Sequence, residues 1–241
     1  NAKHVIRQGV KEAERGQTFE EFQSRNKELV TAVVQRIDPK TGNAAVTIGK
    51  NEATLPKLEQ VPDEVLTEGD HIKVYVVDVK DTERGTKVML SRTHPGLVKR
   101  LFETEVPEIF DGTVEIKAVS RDAGSRTKLA VYSKDADVDP IGACIGAKGA
   151  RVASIVEELG GEKIDIVKYS EDIKEFVTEA LSPAKVLSVE IVDEAAKSCR
   201  ATVPDHQLSL AIGNKGQNAR LAAKLTGWKI DIRPESGYYG E

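Results

Sequence analysis

The spacing of apolar positions changes twice along the chain. Over the first 25 residues, Val5, Ile6, Val10, Ala13, Phe19 and Phe22 recur at helical spacing among Lys, Arg and Glu. This predicts one amphipathic helix. Gly9 and Gly16 lie inside it, each costing about 1 kcal/mol relative to Ala. From Lys27 the period falls to two. Leu29 to Ile37, Ala44 to Ile48, Glu52 to Leu55, His71 to Val79 and Lys87 to Leu90 read as five short strands. They are separated by turn signals such as Thr41-Gly42-Asn43, Gly49-Lys50-Asn51 and Glu83-Arg84-Gly85. Five short strands in so small a segment predict a closed barrel of the OB type, with a small sandwich as the alternative.

From Leu97 the chain repeats itself. Ala143-Cys144-Ile145-Gly146-Ala147-Lys148-Gly149-Ala150-Arg151 returns as Leu210-Ala211-Ile212-Gly213-Asn214-Lys215-Gly216-Gln217-Asn218-Ala219-Arg220. Each loop leads into an apolar-periodic stretch, Val152/Ile155/Val156/Leu159 in one case and Leu221/Ala222/Leu225 in the other. Each stretch then leads into a matching strand, Lys163-Ile164-Asp165-Ile166 or Lys229-Ile230-Asp231-Ile232. Gly146 to Ile164 is 18 residues and Gly213 to Ile230 is 17. Upstream, Val114-Glu115-Ile116 and Val189-Glu190-Ile191 each open a strand, and second strands follow at Lys128 to Tyr132 and Arg200 to Val203. Helices precede the pairs near Leu97 to Glu105 and Ile173 to Leu181. Both copies read α-β-β-α-loop-α-β, and agreement in order and spacing marks a true repeat. The join from Lys168 to Glu171 is too short for a flexible tether, so the two copies are expected to form one rigid body.

A Gly-x-x-Gly turn between helices lets a nucleic-acid backbone approach closely, because neither end carries a Cβ. The helix that follows offers N–H groups and the positive end of its dipole to phosphate. The candidate RNA-binding residues are therefore Ile145, Gly146, Ala147, Lys148, Gly149 and Arg151 in the first loop. In the second they are Ile212, Gly213, Asn214, Lys215, Gly216, Gln217 and Arg220. This is the KH mode, in which the loop holds the backbone of about four nucleotides and the bases lie in an apolar groove. A single such loop is more often an ordinary helix-joining turn; two at equivalent places in a repeat point to KH domains.

Composition narrows the partner. Net charge is -4, so a phosphate-binding surface must be a local patch on an acidic body. His206 to Arg233 is one, with Lys215, Arg220, Lys224, Lys229 and Arg233 against Asp231 alone. Aromatics make up 5% of the chain, too few for binding that stacks every base on a ring. Walker, GxGxxG, GxSxG and HExxH patterns are missing from the sequence, and no Cys/His spacing suits a metal, so no catalytic residue, cofactor or metal is expected. Cys144 and Cys199 form no CxxC pair, which fits a reducing compartment. Cys144 and Trp228 read as packing residues. No apolar run reaches membrane-spanning length and no secretory leader opens the chain.

Val138-Asp139-Pro140-Ile141-Gly142-Ala143-Cys144-Ile145-Gly146, running into Gly149 and Arg151, resembles the first KH loop of the bacterial NusA family. Gln207-Leu208-Ser209-Leu210-Ala211-Ile212-Gly213 through Gly216-Gln217-Asn218-Ala219-Arg220-Leu221, then Leu225-Thr226-Gly227-Trp228, resembles the second. Ser182-Pro183-Ala184-Lys185-Val186 matches the join between them. The resemblance implies an α+β multidomain chain. Residues 1–26 would be the connector helix ending a polymerase-binding domain, since the chain begins mid-pattern without Met. Residues 27–94 would form an S-one-type barrel, and residues 95–169 and 170–241 two tandem type II KH domains. It further implies a cytoplasmic, monomeric, noncatalytic elongation factor that holds nascent single-stranded RNA. Such a factor works with RNA polymerase, mainly through a domain preceding this segment, and with other antitermination factors. Asn214 departs from the basic residue often found there, and the barrel lacks clustered surface aromatics. A fragment of an RNA-processing enzyme such as polynucleotide phosphorylase is the enzymatic alternative, but there a single KH domain precedes the barrel. A scaffold whose KH surfaces bind only protein is the third reading.

Overall fold

The computed structural model describes residues 2–237. Asn1, Tyr238 to Glu241 and the side chains of His4, Val10, Lys11 and Glu12 lie outside the described residues. The chain divides into two compact units, Asn1–Leu101 and Phe102–Glu241.

In the first unit, helix α1 (Ala2–Ser24) runs through both Gly9 and Gly16. Val5 and Ile6 are exposed, whereas Phe19 and Phe22 pack into the core of the barrel that follows. The barrel strands are β1 (Leu29–Ile37), β2 (Ala44–Ile48), β3 (Asn51–Leu55), β4 (His71–Thr82) and β5 (Gly85–Ser91). Each expected strand is present; β4 runs three residues past Val79, because its far end pairs with β5 as far as Thr82 opposite Gly85. All ladders are antiparallel, in the order β3-β2-β1-β4-β5. The end strands β3 and β5 meet, so the sheet curls into a nearly closed OB-like barrel. Alternation places Val30, Ala32 and Val34 of β1 inside, against Val46, Ile72 and Leu90. Register shifts between Val34 and Arg36 and between Val76 and Asp78 supply the local bends that closure needs. One ion pair is drawn into this unit, Arg92 with Glu64, and Arg92 also donates to the Lys73 carbonyl at 2.7 Å.

Helix α2 (Pro95–Glu105) begins on proline, whose missing N–H costs nothing at a first helical position, and the short α3 (Pro107–Phe110) does the same. The first repeat continues with β6 (Val114–Asp122), β7 (Arg126–Ser133), α4 (Pro140–Ile145), α5 (Ala150–Glu158) and β8 (Lys163–Lys168). The second has α6 (Ile173–Ala180), β9 (Ser188–Asp193), β10 (Ser198–Val203), α7 (Leu208–Ile212), α8 (Gln217–Thr226) and β11 (Lys229–Pro234). Each repeat builds a three-stranded sheet whose central strand is antiparallel to the first and parallel to the last. The registers coincide: Arg126 pairs with Lys163 as Ser198 pairs with Lys229. The first hairpin is longer, so Val114 pairs with Ser133 while Val189 pairs with Ala201. Val114 opens its strand as the sequence suggests, whereas Val189 follows Ser188 at the start of β9, and the two valines sit at different rungs.

The two repeats share one core. Ala130 and Val167 of the first cluster with Phe176, Val177, Ala201 and Leu225 of the second. Tyr169 packs edge-on against Phe176 at 5.0 Å. Lys128 is fully buried at the junction, donating to the Ser182 carbonyl at 2.7 Å and pairing with Asp165 at 3.1 Å. Burial pulls its pKa down against the opposing charge of Asp165. The same strand positions of the second repeat hold Arg200 and Asp231, 3.5 Å apart and open to solvent. A packed junction thus joins the repeats in addition to the short join.

Candidate nucleic-acid interface

Asp139 starts the first loop segment by capping α4, accepting from the Ile141 N–H at 3.1 Å, with Pro140 at the first helical position. The chain then turns through Gly146 (φ 77, ψ 174), Lys148 (φ 56, ψ 26) and Gly149 (φ 75, ψ 14) before α5 begins. The second loop takes the same path: Gly213 (φ 80, ψ 170), Lys215 (φ 54, ψ 30) and Gly216 (φ 74, ψ 14). Two lysines in the left-handed region, at equivalent places, are backbone strain that the surroundings must hold in place.

The glycines serve different ends. A Cβ on Gly146 would sit 2.6 Å from the Arg151 Cγ, and one on Gly213 would sit 2.7 Å from the Asn218 backbone nitrogen. The first glycine of each loop thus yields to the residue five positions on. A Cβ on Gly149 would meet nothing within 4 Å, and on Gly216 only the Arg220 Nη1 at 4.0 Å. The second glycine supplies its positive φ beside open space. No side chain caps α5 or α8, leaving the positive ends of both helices facing outward next to the loops.

The structure brings all thirteen expected residues to these two loops but divides their roles. Lys148 and Lys215 are exposed and have no ion pair among the described residues. Ala147 and Asn214 are likewise exposed at the loop tips, and Ile145 is partly open beside them while Ile212 is half-buried. Arg151, however, is pinned: its Nη1 contacts the Glu108 carboxylate at 2.8 Å and the Ala143 carbonyl at 2.7 Å. It closes the last turn of α4 and spends its charge there. Arg220 donates to the Lys215 carbonyl at 3.1 Å, with Asp122 at 3.9 Å. Gln217 sends its amide N–H groups to Asp122 (2.8 Å) and Ser125 (2.7 Å) of the first repeat.

Asn218 was not anticipated. It is buried, and its Nδ2 donates to the carbonyls of Ala211 at 2.8 Å and Leu181 at 3.0 Å. It occupies the place that Arg151 has in the first loop and does the same work on α7. The signal was in the alignment of the loops, where Asn218, not Arg220, stands opposite Arg151.

Other candidates fall to packing. Cys144 is buried and its thiol is pushed up to about 12 by burial, so it is no nucleophile. Trp228 packs against the shared core. Arg233 of the basic segment is tied to Asp231 at 2.8 Å. The only aromatic of residues 27–94, Tyr75, is buried and stacked on His94 with centroids 4.7 Å apart, so the barrel presents no stacking platform there. Among the described residues no His/Cys/Asp/Glu group could hold a metal ion, and no helix is long and apolar enough to cross a membrane.

Known families match the chain almost end to end. The S1 RNA binding domain matches residues 24–91, the NusA-like first KH domain residues 92–169, and the NusA-like second KH domain residues 173–239. The protein of Bacillus subtilis (strain 168) called transcription termination/antitermination protein NusA is 58% identical over 235 residues. That alignment takes in 98% of this chain and 62% of the relative, so the chain spans less than two thirds of that protein. The protein of the same name from Mycobacterium tuberculosis (strain H37Rv) is 50% identical over 241 residues, 98% of this chain and 70% of the relative. That from Thermus thermophilus is 47% identical over 228 residues, 95% and 58% respectively. With an OB-like barrel, two KH repeats and identity of this extent, the chain belongs to the NusA family.

Proposed function

We propose that this chain holds nascent single-stranded RNA and, as part of a longer factor, works with RNA polymerase to modulate pausing, termination and antitermination. One observation carries the reading: two loops with φ and ψ alike to within 4° place an exposed lysine and an uncapped helix start at equivalent points of one shared-core body. Such a pair suits the backbone of one strand crossing both repeats. Lys148 and Lys215 meet phosphate directly, together with the loop backbone at Gly146, Ala147, Gly149, Gly213, Asn214 and Gly216. Ile145 and Ile212 floor the groove for bases, whereas Arg151, Gln217 and Arg220 hold the loops in shape. The reading is noncatalytic: holding a strand asks only that lysine ammonium groups and backbone amides bind phosphate. A cytoplasmic monomer meeting polymerase and other antitermination factors through further parts of the full-length protein completes it.

The salt dependence of binding tests this directly. Each phosphate neutralised on a single strand contributes about -0.7 to the log–log slope. With two unpaired lysines as the principal contacts, the slope is expected near -1.5, and double-stranded RNA should compete poorly because its stacked bases cannot enter the groove. A slope steeper than about -4, or equal competition by duplex, would mean a broad basic footprint and overturn the assignment.

A further inference from the structure

The two loops match in backbone but not in support. In the first, the residue after the second glycine is Ala150; in the second it is Gln217. Gln217 opens α8, and its side chain leaves its own repeat to reach the turn between β6 and β7, at Asp122 and Ser125. Both amide hydrogens are consumed there, so this side chain keeps only an oxygen acceptor, which a phosphate would repel. That is the geometry of an anchor.

The turn is firm enough to anchor against. It closes through the Ser125 N–H to the Asp122 carbonyl at 3.0 Å. Behind it, Glu162 is fully buried and accepts from Arg121 at 3.0 Å, the Gly124 N–H at 2.7 Å and the Thr127 hydroxyl at 2.7 Å. The Arg121 side chain is equally buried. A carboxylate satisfied by a guanidinium, an amide and a hydroxyl rigidifies its surroundings. The Ser125 carbonyl also accepts from the Lys163 N–H at 3.0 Å, fastening the turn to β8.

We infer that the β6–β7 turn of the first repeat is a positioning element of the second repeat's phosphate loop: Ser125 and Asp122 hold Gln217, and through it the start of α8 and the strained Lys215-Gly216 turn. The inference rests on the RNA-binding reading and adds to it a dependence of the second site on the first repeat. Without this anchor the loop samples other conformations and pays ordering entropy on binding. Ser125 is the informative position, since it carries no charge and its loss changes no electrostatic attraction for phosphate.

The test uses the whole chain carrying Ala147→Asp and Lys148→Asp, so that remaining binding passes through the second loop, with a fluorescent single-stranded RNA of random sequence as probe. Gln217→Ala installs the residue the first repeat already carries there and, by removing two hydrogen bonds at an accessible turn, should lower the melting temperature by only a few degrees. It should weaken binding about fivefold, the scale of ordering one released loop segment when RNA binds. Ser125→Ala should weaken it similarly, the double variant should be no worse than either single one, and Ser125→Thr, which keeps the hydroxyl, should bind as before. In the absence of RNA, Ser125→Ala should shift the NMR resonances of the Gly213 and Gly216 amides. Additive losses with unshifted amides would mean that Ser125 and Gln217 each touch RNA independently, which overturns the anchor. Loops whose disruption leaves RNA binding at full strength would overturn the RNA reading itself, and the anchor with it; intact dependence on Lys215 with no effect of Gln217→Ala or Ser125→Ala overturns the anchor alone.

Discussion

Replacing Ala147, Lys148, Asn214 and Lys215 together with Asp is expected to abolish single-stranded RNA binding while leaving the fold intact. All four side chains are exposed, and neither lysine has an ion pair to lose among the described residues. Positions 148 and 215 lie at φ 56 and φ 54, a region that Asp tolerates better than most residues. Stability should therefore change by no more than about 0.5 kcal/mol per site, about 2 kcal/mol over the four and at most about 8 °C in melting temperature. Binding answers to different physics. Each loop exchanges a cation for two anions at the point where phosphate must approach, and like charges so placed cost several kcal/mol. A loss of at least about hundredfold in affinity is expected. Titration by fluorescence anisotropy beside a thermal melt checks both halves; wild-type affinity in the quadruple variant would end the KH assignment.

The outline of this fold was legible because its signals are local. Period-two runs bounded by turn residues mark the barrel strands, and the second glycines at 149 and 216 sit where a left-handed backbone demands them. The repeat supplied the topology, since two copies agreeing in order leave few alternatives. What the sequence hid are contacts that only folding brings together. Arg151 reads as a phosphate ligand until Glu108 arrives from the short α3 to neutralise it. Lys128 is legible only as the start of an expected strand, yet it is fully buried and donates to the Ser182 carbonyl of the second repeat. Glu162, just after Gly160-Gly161, carries no local mark of burial; it is buried because Arg121 and the turn at Gly124 close over it. Gln217 was legible as a loop residue, but its partners lie more than ninety positions earlier. Loop chemistry is written locally, and which cations remain free to use it is not.

RNA length should separate a rigid tandem from two independent sites. Ala130 and Val167 of the first repeat are buried in one cluster with α6, β10 and α8 of the second, and Lys128 is hydrogen-bonded across the junction. Packing at this junction, beyond the short join, is thus expected to hold the loops at a fixed separation. Each loop handles about four nucleotides, so one strand engaging both needs roughly 8 to 11. Once the first loop is bound, the second contact is intramolecular, and affinity should rise by a factor of about 10² to 10⁴ as RNA lengthens from 4 nucleotides to a plateau near 10. A Gly-Ser insertion of about five residues after Ser170 lengthens only the join, at a loop-closure cost of a few tenths to about 1 kcal/mol. Because the junction holds the repeats, the insertion should leave the plateau and its position unchanged. Isothermal titration against RNAs of 4 to 16 nucleotides, with and without the insertion, decides the matter. A gradual, length-proportional gain would show independent sites, and a plateau lost on insertion would show that the join, not the buried junction around Lys128 and Ala130, fixes the two loops.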